Sequence, residues 1–270
     1  MGAVKSLYTG AEITWCRLCG NFGLMSAFVW AVEELAESIP LERFVILSGI
    51  GCHGKIVDYI DLNSFYSIHG RVPPTATGIK LANPDLKVVG FVGDGDIYAE
   101  GVSHLIFSAK RNTDITLIVH DNRAYSLTTG QFTPTSPSHF RGKSTPEGPP
   151  EDPMNPIALM LEAGATFVAR GYAGYTEHLK NIIKEAILHR GFSFVDVLQP
   201  CVVFYNTYDL YNRMTYRLED VGHDPTNYEE AYRRAKEWDY NSKDTKIPIG
   251  IFYRTEKPTY EERLLHMSYD

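Results

Sequence analysis

The chain contains 270 residues, of which 44% are hydrophobic and 22% charged. This composition excludes an intrinsically disordered protein and predicts one large globular domain or two smaller ones. The formal net charge of −7 and the lack of a basic run argue against nucleic acid as a partner. The longest apolar stretch, residues 22–32, is shorter than the roughly 18 residues that a membrane span needs.

The N-terminus lacks the pattern of a signal peptide, so the sequence predicts a cytoplasmic protein without a membrane partner. Residues 1–6 match the N-myristoylation pattern, which short sequences often match by chance.

Short apolar stretches alternate with segments of helical spacing. Buried strands are predicted at residues 43–48, 87–92, 115–120, 165–169 and 192–197. Helices are predicted after Asn21, around residues 100–110, after Asn155 and Pro156, and from Thr176, which is the predicted N-cap, to near Gly191. The alternation predicts an α/β fold with a parallel sheet and helices on both faces. Ligands of such sheets bind beyond the carboxyl ends of the strands.

Residues 132–156 form a long segment rich in Pro, Ser, Thr and Gly between predicted elements. A segment of this length inside a domain is typical of a functional lid or binding loop, and a flexible boundary is the alternative.

Two predicted strand ends carry oxygen ligands. The second strand ends in Gly93-Asp94-Gly95-Asp96, and Asn122 follows the third strand with 26 residues between Gly95 and Asn122. A right-handed crossover of this length can place Asp94 beside Asn122. A carboxylate and an amide oxygen suit Mg²⁺. The alternative is that residues 93–96 are only a turn before the next helix.

Residues 49–54, GIGCHG, match the dinucleotide pattern GxGxxG. A dinucleotide site also needs an acidic residue about 20 positions further on, where this chain has the segment 66–71, YSIHGR. The nicotinamide hypothesis is therefore weakly supported.

The four cysteines occur at predicted loops of one sheet edge. Cys16 and Cys19 form a CxxC pair before a helix, Cys52 follows the first strand, and Cys201 follows the fifth. Four thiolates bind either zinc or an iron–sulfur cluster, and structural zinc sites more often contain two CxxC pairs. Buried apolar thiols are the third possibility.

The GDG motif followed at this distance by Asn resembles the thiamine diphosphate signature. Seven segments in order resemble the β subunit of 2-oxoacid:ferredoxin oxidoreductases: residues 15–23, 48–55, 69–84, 90–101, 120–137, 191–201 and 258–263. The resemblance implies a thiamine diphosphate-binding fold in residues 1–205. Residues 206–270 are then an extension that packs on this domain or on a partner subunit.

The resemblance also implies the cofactors thiamine diphosphate, Mg²⁺ and one 4Fe-4S cluster. It places the cluster on Cys16, Cys19, Cys52 and Cys201, and Mg²⁺ on Asp94, Asn122 and the Ala124 carbonyl. The cofactor would contact Gly51, His69, Arg71, Gly93, Gly95, Asp96 and Leu127. Lys55 is the candidate catalytic residue, because it could neutralise the substrate carboxylate, although it could equally be a surface lysine. His69 and Arg71 could instead be structural turn residues.

The family reaction is the CoA-dependent oxidative decarboxylation of a small 2-oxoacid to acyl-CoA and CO₂, typical of anaerobic metabolism. Two electrons pass one at a time through the cluster to ferredoxin. The glutamate that activates the cofactor comes from another chain in this family, which implies a heteromer with an α or fused γ/α subunit. Two other hypotheses stay open: a non-catalytic zinc protein that acts in assembly, and a non-redox thiamine diphosphate decarboxylase.

The sequence departs from the family pattern at two places. Arg17 and Leu18 stand between the paired cysteines where the family usually has Pro-Gly, and Thr129 stands where a lysine is common. The tail contains many tyrosines that would suit an exposed subunit interface, with ordinary packing as the alternative: Tyr205, Tyr208, Tyr211, Tyr216, Tyr228 and Tyr232. A local basic patch near Arg233, Arg234 and Lys236 could receive an acidic ferredoxin, and a docking site on the partner subunit is the alternative.

Overall fold

The computed structural model describes residues 6–265. The myristoylation pattern therefore lies almost entirely outside the described residues. The helices are α1 Asn21–Leu35, α2 Ile56–Tyr59, α3 Val72–Ala82, α4 Val102–Arg111, α5 Pro156–Glu162, α6 Thr176–Leu188, α7 Tyr208–Met214, α8 Tyr228–Ala235 and α9 Tyr260–Leu265. The strands are β1 Phe44–Ser48, β2 Asn63–Tyr66, β3 Lys87–Gly93, β4 Thr116–Asp121, β5 Phe167–Tyr172, β6 Ser193–Leu198, β7 Thr215–Arg217 and β8 Ile247–Arg254.

Within residues 6–265 the strands form one sheet in the order β2-β1-β3-β4-β6-β5-β8-β7. The six strands from β2 to β5 in this order are mutually parallel, which confirms the predicted α/β fold. The five predicted strands are β1, β3, β4, β5 and β6. Strand β8 pairs antiparallel with β5 and carries β7 at the sheet edge, so the sheet is mixed at this end.

Alternate residues of the central strands pack into two separate cores. Phe91 of β3 faces α1, where its ring meets Phe28 edge-on with centroids 4.9 Å apart. Val92 faces the opposite side, among residues of α4 and α5. Because successive side chains of a strand point to opposite faces, continuous apolar runs require helices on both sides. The predicted two-sided cover is confirmed.

The ends of two helices test the predicted caps. Asn155 caps α5, since its side chain accepts a hydrogen bond from the Ala158 amide and Pro156 occupies the first turn. The prediction for Thr176 is wrong, because Thr176 is already the first residue of α6 and Tyr175 occupies the cap position without a side-chain bond.

The tyrosine-rich tail is not an exposed surface. Tyr211 is buried, and the other five tyrosines are partly buried: four of them pack against the clusters around α7, α8 and the last strands, and Tyr205 packs against Phe140. This burial fits the alternative of ordinary packing, and a subunit interface at the tail stays a prediction. The division at residue 205 stays a prediction.

The predicted basic patch is largely neutralised by neighbouring carboxylates. Arg233 and Arg234 on α8 each form ion pairs with Glu230 and Glu237, and the Lys236 ammonium lies 5.4 Å from the centre of the Tyr232 ring. The patch therefore carries less free positive charge than its sequence suggests, and its role in docking stays a prediction. None of the helices in the described part of the chain is long and apolar enough to cross a bilayer.

Candidate active site

A pocket rich in carboxylates lies where β3 and β4 end. Gly93 pairs with His120, so the residues that follow each strand emerge side by side, as predicted for Asp94 and Asn122. We call this cavity of about 100 Å³ the carboxylate pocket. Its lining includes Gly51, His53, His69, Gly93, Asp94, Gly95, Asp96, Asn122, Ala124, Tyr125 and Leu127. The pocket thus contains nine of the ten residues predicted to bind the cofactor or its metal.

Asp94 is held by the segment that follows β4. Its Oδ2 accepts hydrogen bonds from Thr133 Oγ1 at 2.5 Å and from Thr135 Oγ1 at 3.0 Å. Burial raises the pKa of Asp94 to about 6, although these hydroxyls partly offset the effect. The start of the long loop 132–156 therefore supports the Asp94 carboxylate, although no residue of this loop lines the pocket. The two threonines were not predicted as functional residues, although they lie in the family segment 120–137.

Thr135 also connects Asp94 to Asp121. Its Oγ1 lies 2.8 Å from Asp121 Oδ1, so one hydroxyl proton is shared between two carboxyl groups. Burial, Asp196 and Asp94 raise the pKa of Asp121 well above its ordinary value.

Asp96 has a different environment in the same pocket. It accepts bonds from His69 Nδ1 at 2.5 Å and from the Gly70 amide at 2.7 Å, and His53 Nε2 lies 3.6 Å away. Burial alone raises the pKa of Asp96, but these partners outweigh it and hold the pKa well below its usual range. Asp96 therefore stays ionised and anchors His69.

The glycines of segment 49–54 have packing roles. A Cβ on Gly49 would lie 1.9 Å from Asp96 Oδ2, and one on Gly54 would lie 2.6 Å from the Gly49 carbonyl oxygen. The GxGxxG pattern is therefore explained by close packing against Asp96 and within its own turn, without a dinucleotide.

A second and larger cavity of about 500 Å³ adjoins the carboxylate pocket. We call it the thiol cavity, because Cys16, Cys19, Cys52 and Cys201 all line it. The four cysteines are free thiols. Loops after β1 and β6 and the segment before α1 bring them together, as the sequence predicted for one sheet edge.

Hydrogen bonds hold these three segments against each other. The Trp15 indole donates to the Cys52 carbonyl at 2.7 Å, and the Gly20 amide donates to the Pro200 carbonyl at 3.1 Å. Gln199 Nε2 approaches Cys19 Sγ at 3.6 Å. These contacts fix the backbone of the cysteine-bearing loops, and none of the three residues that donate them was predicted from the sequence.

The environment of the thiols is weakly polar. Burial raises the pKa of Cys19 and of Cys52 to about 11, so both remain protonated until a cation binds. In residues 6–265 no three His, Cys, Asp or Glu side chains are close enough to hold a single metal ion. In a cuboidal cluster each thiolate binds a different iron, so its ligands stand further apart than those of one ion.

Two of the predicted site residues, Lys55 and Arg71, contact other groups of the protein. Lys55 lines the thiol cavity, and its Nζ lies 3.5 Å from Asp58 Oδ2. Arg71 lines neither cavity and donates to the Glu100 carbonyl at 3.0 Å. Asn122 Oδ1 accepts a bond from the Ala124 amide at 3.0 Å, which keeps the turn between the two predicted metal ligands closed.

Known protein families match both the N-terminal and the C-terminal part of the chain. A family model described as "Thiamine pyrophosphate enzyme, C-terminal TPP binding domain" matches residues 49–197. A second model, for the C-terminal part of the pyruvate ferredoxin oxidoreductase beta subunit, matches residues 201–268. Subunit beta of 2-oxoacid:ferredoxin oxidoreductase 1 from Aeropyrum pernix is 43% identical over 274 residues, which cover 97% of this chain and 84% of that protein.

The similarity extends to further relatives and to a solved structure. The 2-oxoglutarate synthase subunit KorB from Methanocaldococcus jannaschii is 34% identical over 250 residues, covering 93% of this chain and 90% of that protein. A structure of 2-oxoglutarate:ferredoxin oxidoreductase from Magnetococcus marinus, with 2-oxoglutarate, coenzyme A and succinyl-CoA bound, matches with a TM-score of 0.92 and 35% identity. The match covers 99% of this chain and 90% of that chain.

Proposed function

Because the chain belongs to the β subunits of 2-oxoacid:ferredoxin oxidoreductases, we propose that its two adjoining cavities hold the diphosphate end of thiamine diphosphate and a 4Fe-4S cluster. The chain is a subunit of an oxidoreductase that uses thiamine diphosphate, and it works with an α-type partner subunit.

One observation carries it: the two cavities share a wall. Ile50, Gly51, Cys52, Asn122, Ser126 and Leu127 line both cavities. Cys52, proposed to bind the cluster, and Asn122, proposed to bind Mg²⁺, therefore lie on one continuous surface. Electrons released at a substrate beside this wall have only a short path to the thiol cavity.

In the carboxylate pocket, Mg²⁺ would be held by Asp94, Asn122 and the Ala124 carbonyl. Asp94 is nearly fully buried and already oriented by two hydroxyls, so the remaining positions of an octahedral ion are left for diphosphate oxygens and water. The glycines at 93 and 95 let a diphosphate approach the backbone, and Gly95 also makes room for the Tyr125 ring.

In the thiol cavity, the four cysteines would each bind one iron of the cluster. Burial raises the pKa of the Cys19 and Cys52 thiols, so the irons would supply the charge that releases their protons. The apolar side chains around them limit the access of water, which is one of the factors that set the potential of a cluster.

When bound, thiamine diphosphate supplies the nucleophile that adds to the keto carbon and the electron sink for the electrons left when CO₂ departs. The chain's own residues bind, orient and shield. Lys55, half-exposed in the thiol cavity beside Asp58, would neutralise the carboxylate of a small 2-oxoacid. The exposed Leu127 covers the shared wall and would exclude water from the reacting carbon.

We infer that CoA accepts the acyl group and that ferredoxin accepts the two electrons one at a time. Thiamine enzymes need a glutamate at the aminopyrimidine, and the described residues that line the two cavities include no glutamate. The partner subunit would supply it, so each chain would contribute part of the active site.

The test uses the chain co-expressed with its partner subunit and purified without oxygen. Iron, sulfide and zinc are assayed on the sample, and ferredoxin reduction is followed with a 2-oxoacid, with and without CoA. We expect about four irons and four sulfides per β chain and CoA-dependent formation of acyl-CoA. One zinc without sulfide would refute the cluster, and an aldehyde product without ferredoxin reduction would indicate a non-redox decarboxylase.

A further inference from the structure

Arg123 lies between the two consecutive positions proposed to bind Mg²⁺, Asn122 with its side chain and Ala124 with its carbonyl. It is one of the largest fully buried side chains of the protein, with an exposed fraction of 1%. Its backbone φ is +59°, in the left-handed region that glycine and asparagine adopt more readily than arginine. A buried charged residue in an unfavourable backbone conformation persists only where surrounding contacts compensate for it.

These contacts tie the turn to distant parts of the chain. Arg123 Nε donates to the Thr135 carbonyl at 2.6 Å, and Nη2 donates to the Tyr240 carbonyl at 2.6 Å. The Arg123 carbonyl accepts a bond from Ser136 Oγ at 2.7 Å. The guanidinium therefore bonds both to the loop that orients Asp94 and to the C-terminal part of the chain. The backbone carbonyl of Arg123 is bonded to the same loop.

Aromatic rings complete the environment of the guanidinium. Its central carbon lies 5.2 Å from the Trp238 ring centre, 5.6 Å from that of Tyr240 and 5.7 Å from that of Tyr205. Trp238 and Tyr240 stack on each other with centroids 3.8 Å apart. We call these three rings the aromatic cage. The cage suits a cation because each ring lies within cation–π distance of the guanidinium.

We propose that Arg123 is a positioning residue that clamps the metal-binding turn to the aromatic cage, so that the affinity for Mg²⁺ depends on Trp238 and Tyr240. This inference rests on the metal site of the proposed function. The chain thereby couples its C-terminal segment to the carboxylate pocket, although none of the cage residues lines that pocket.

Arg170 provides the matched control. It is also fully buried and lies 5.0 Å from the Trp238 ring centre and 5.7 Å from that of Tyr240. Arg170 belongs to β5 and pairs with Asp196, with no bond to the turn at 122–124. Loss of Arg170 tests the general cost of disturbing the cage, whereas loss of Arg123 also releases the turn.

The experiment measures the Mg²⁺ affinity of the two-subunit enzyme by calorimetry. The metal is first removed with a chelator, and Mg²⁺ is then titrated in the presence of saturating thiamine diphosphate. Arg123→Gly suits the backbone conformation and removes the clamp, so we expect its Kd for Mg²⁺ to rise by roughly 10- to 100-fold, as for other residues that orient metal ligands. Arg123→Lys keeps the charge but cannot bond both carbonyls, and an intermediate Kd is expected.

Trp238→Leu gives a second route to the same test, because it weakens the cage without changing the turn. We expect its Kd to rise less than that of Arg123→Gly, and the Kd of Arg170→Lys to stay within about twofold of the parent. An unchanged Kd for Mg²⁺ in Arg123→Gly overturns the clamp while leaving the metal site intact. So does a rise of the Kd in Arg170→Lys that equals the rise in Arg123→Gly. An unchanged Kd in Asp94→Asn overturns the metal site itself, and the clamp with it.

Discussion

The carboxylate pocket and the thiol cavity share a wall but are built on opposite principles. In the carboxylate pocket, Asp94 and Asp96 are buried and already bonded to hydroxyls, an imidazole and a backbone amide. In the thiol cavity, the side-chain sulfurs have few polar partners, and burial keeps Cys19 and Cys52 protonated. The first site is organised by the chain before any ligand binds, whereas under the proposed function the second would become a binding site only together with iron. Substitutions should therefore change affinity in one site and assembly in the other.

The largest effect is expected from Cys201→Ser in the thiol cavity. Cys201 is the most buried of the four thiols, and an alcohol is a poor ligand for iron. We expect iron and sulfide per chain to fall several-fold and ferredoxin reduction to be lost, as measured on anaerobically purified enzyme. Ser126→Ala, which changes a neighbour of the same sulfur, serves as the control. Four irons retained in Cys201→Ser would remove this residue from the ligand set.

Asp94→Asn should weaken Mg²⁺ and thiamine diphosphate binding strongly while leaving the iron content unchanged. The substitution removes the only charged ligand of the proposed metal set, so the loss should exceed the roughly 10- to 100-fold typical of an orienting residue. Calorimetric titration of the two-subunit enzyme measures it. Asp85→Asn, at an exposed position, is the control. Simultaneous loss of iron would show that the two cavities assemble together, and it would contradict the different organisation proposed for them.

Thr135→Val should have a smaller effect in the same pocket. It removes the bond at 3.0 Å to Asp94 while Thr133 keeps its own, so we expect the Kd for Mg²⁺ to rise by about tenfold. Thr77→Val, which removes a hydroxyl bonded to Pro73 on α3, is matched in chemistry and lies outside both cavities. Equal affinities in Thr135→Val and the parent would mean that Thr133 alone orients the carboxylate.

The smallest effect is expected from Ser126→Ala, which lies in the shared wall. The Ser126 hydroxyl donates to Cys201 Sγ at 3.3 Å, and such bonds stabilise the more negative, reduced state of a cluster. A bond of about 1 kcal/mol corresponds to about 40 mV for one electron, so the potential should become more negative by tens of millivolts. A redox titration followed by paramagnetic resonance measures it, with Ser126→Thr expected to keep the parent potential. A shift toward positive potential would contradict the assigned donor.

Short-range patterns in the sequence were enough for the central sheet. Strands such as β3 and β4 are continuous apolar runs, because both faces of a parallel strand are covered. The edge and antiparallel strands were missed for physical reasons. All residues of β2 are exposed, and Pro248 and Gly250 interrupt the apolar pattern of β8. The sequence left both packing and an interface open for the tail tyrosines, because residue spacing does not reveal what covers an amphipathic ring.

The site divides in a similar way. The order of the residues alone placed Asp94, Asn122 and the four cysteines at one edge of the sheet, since parallel strands with crossover connections bring their carboxyl ends together. Only the tertiary structure decided which groups orient them: Thr135 for Asp94, Trp15 for Cys52, and Arg123 with its cage for the turn at residues 122–124. These contacts join residues between 12 and 117 positions apart, and no local pattern encodes a partner at such a distance. The types of side chain at the site follow from the amino-acid sequence, whereas their exact positions follow from tertiary packing.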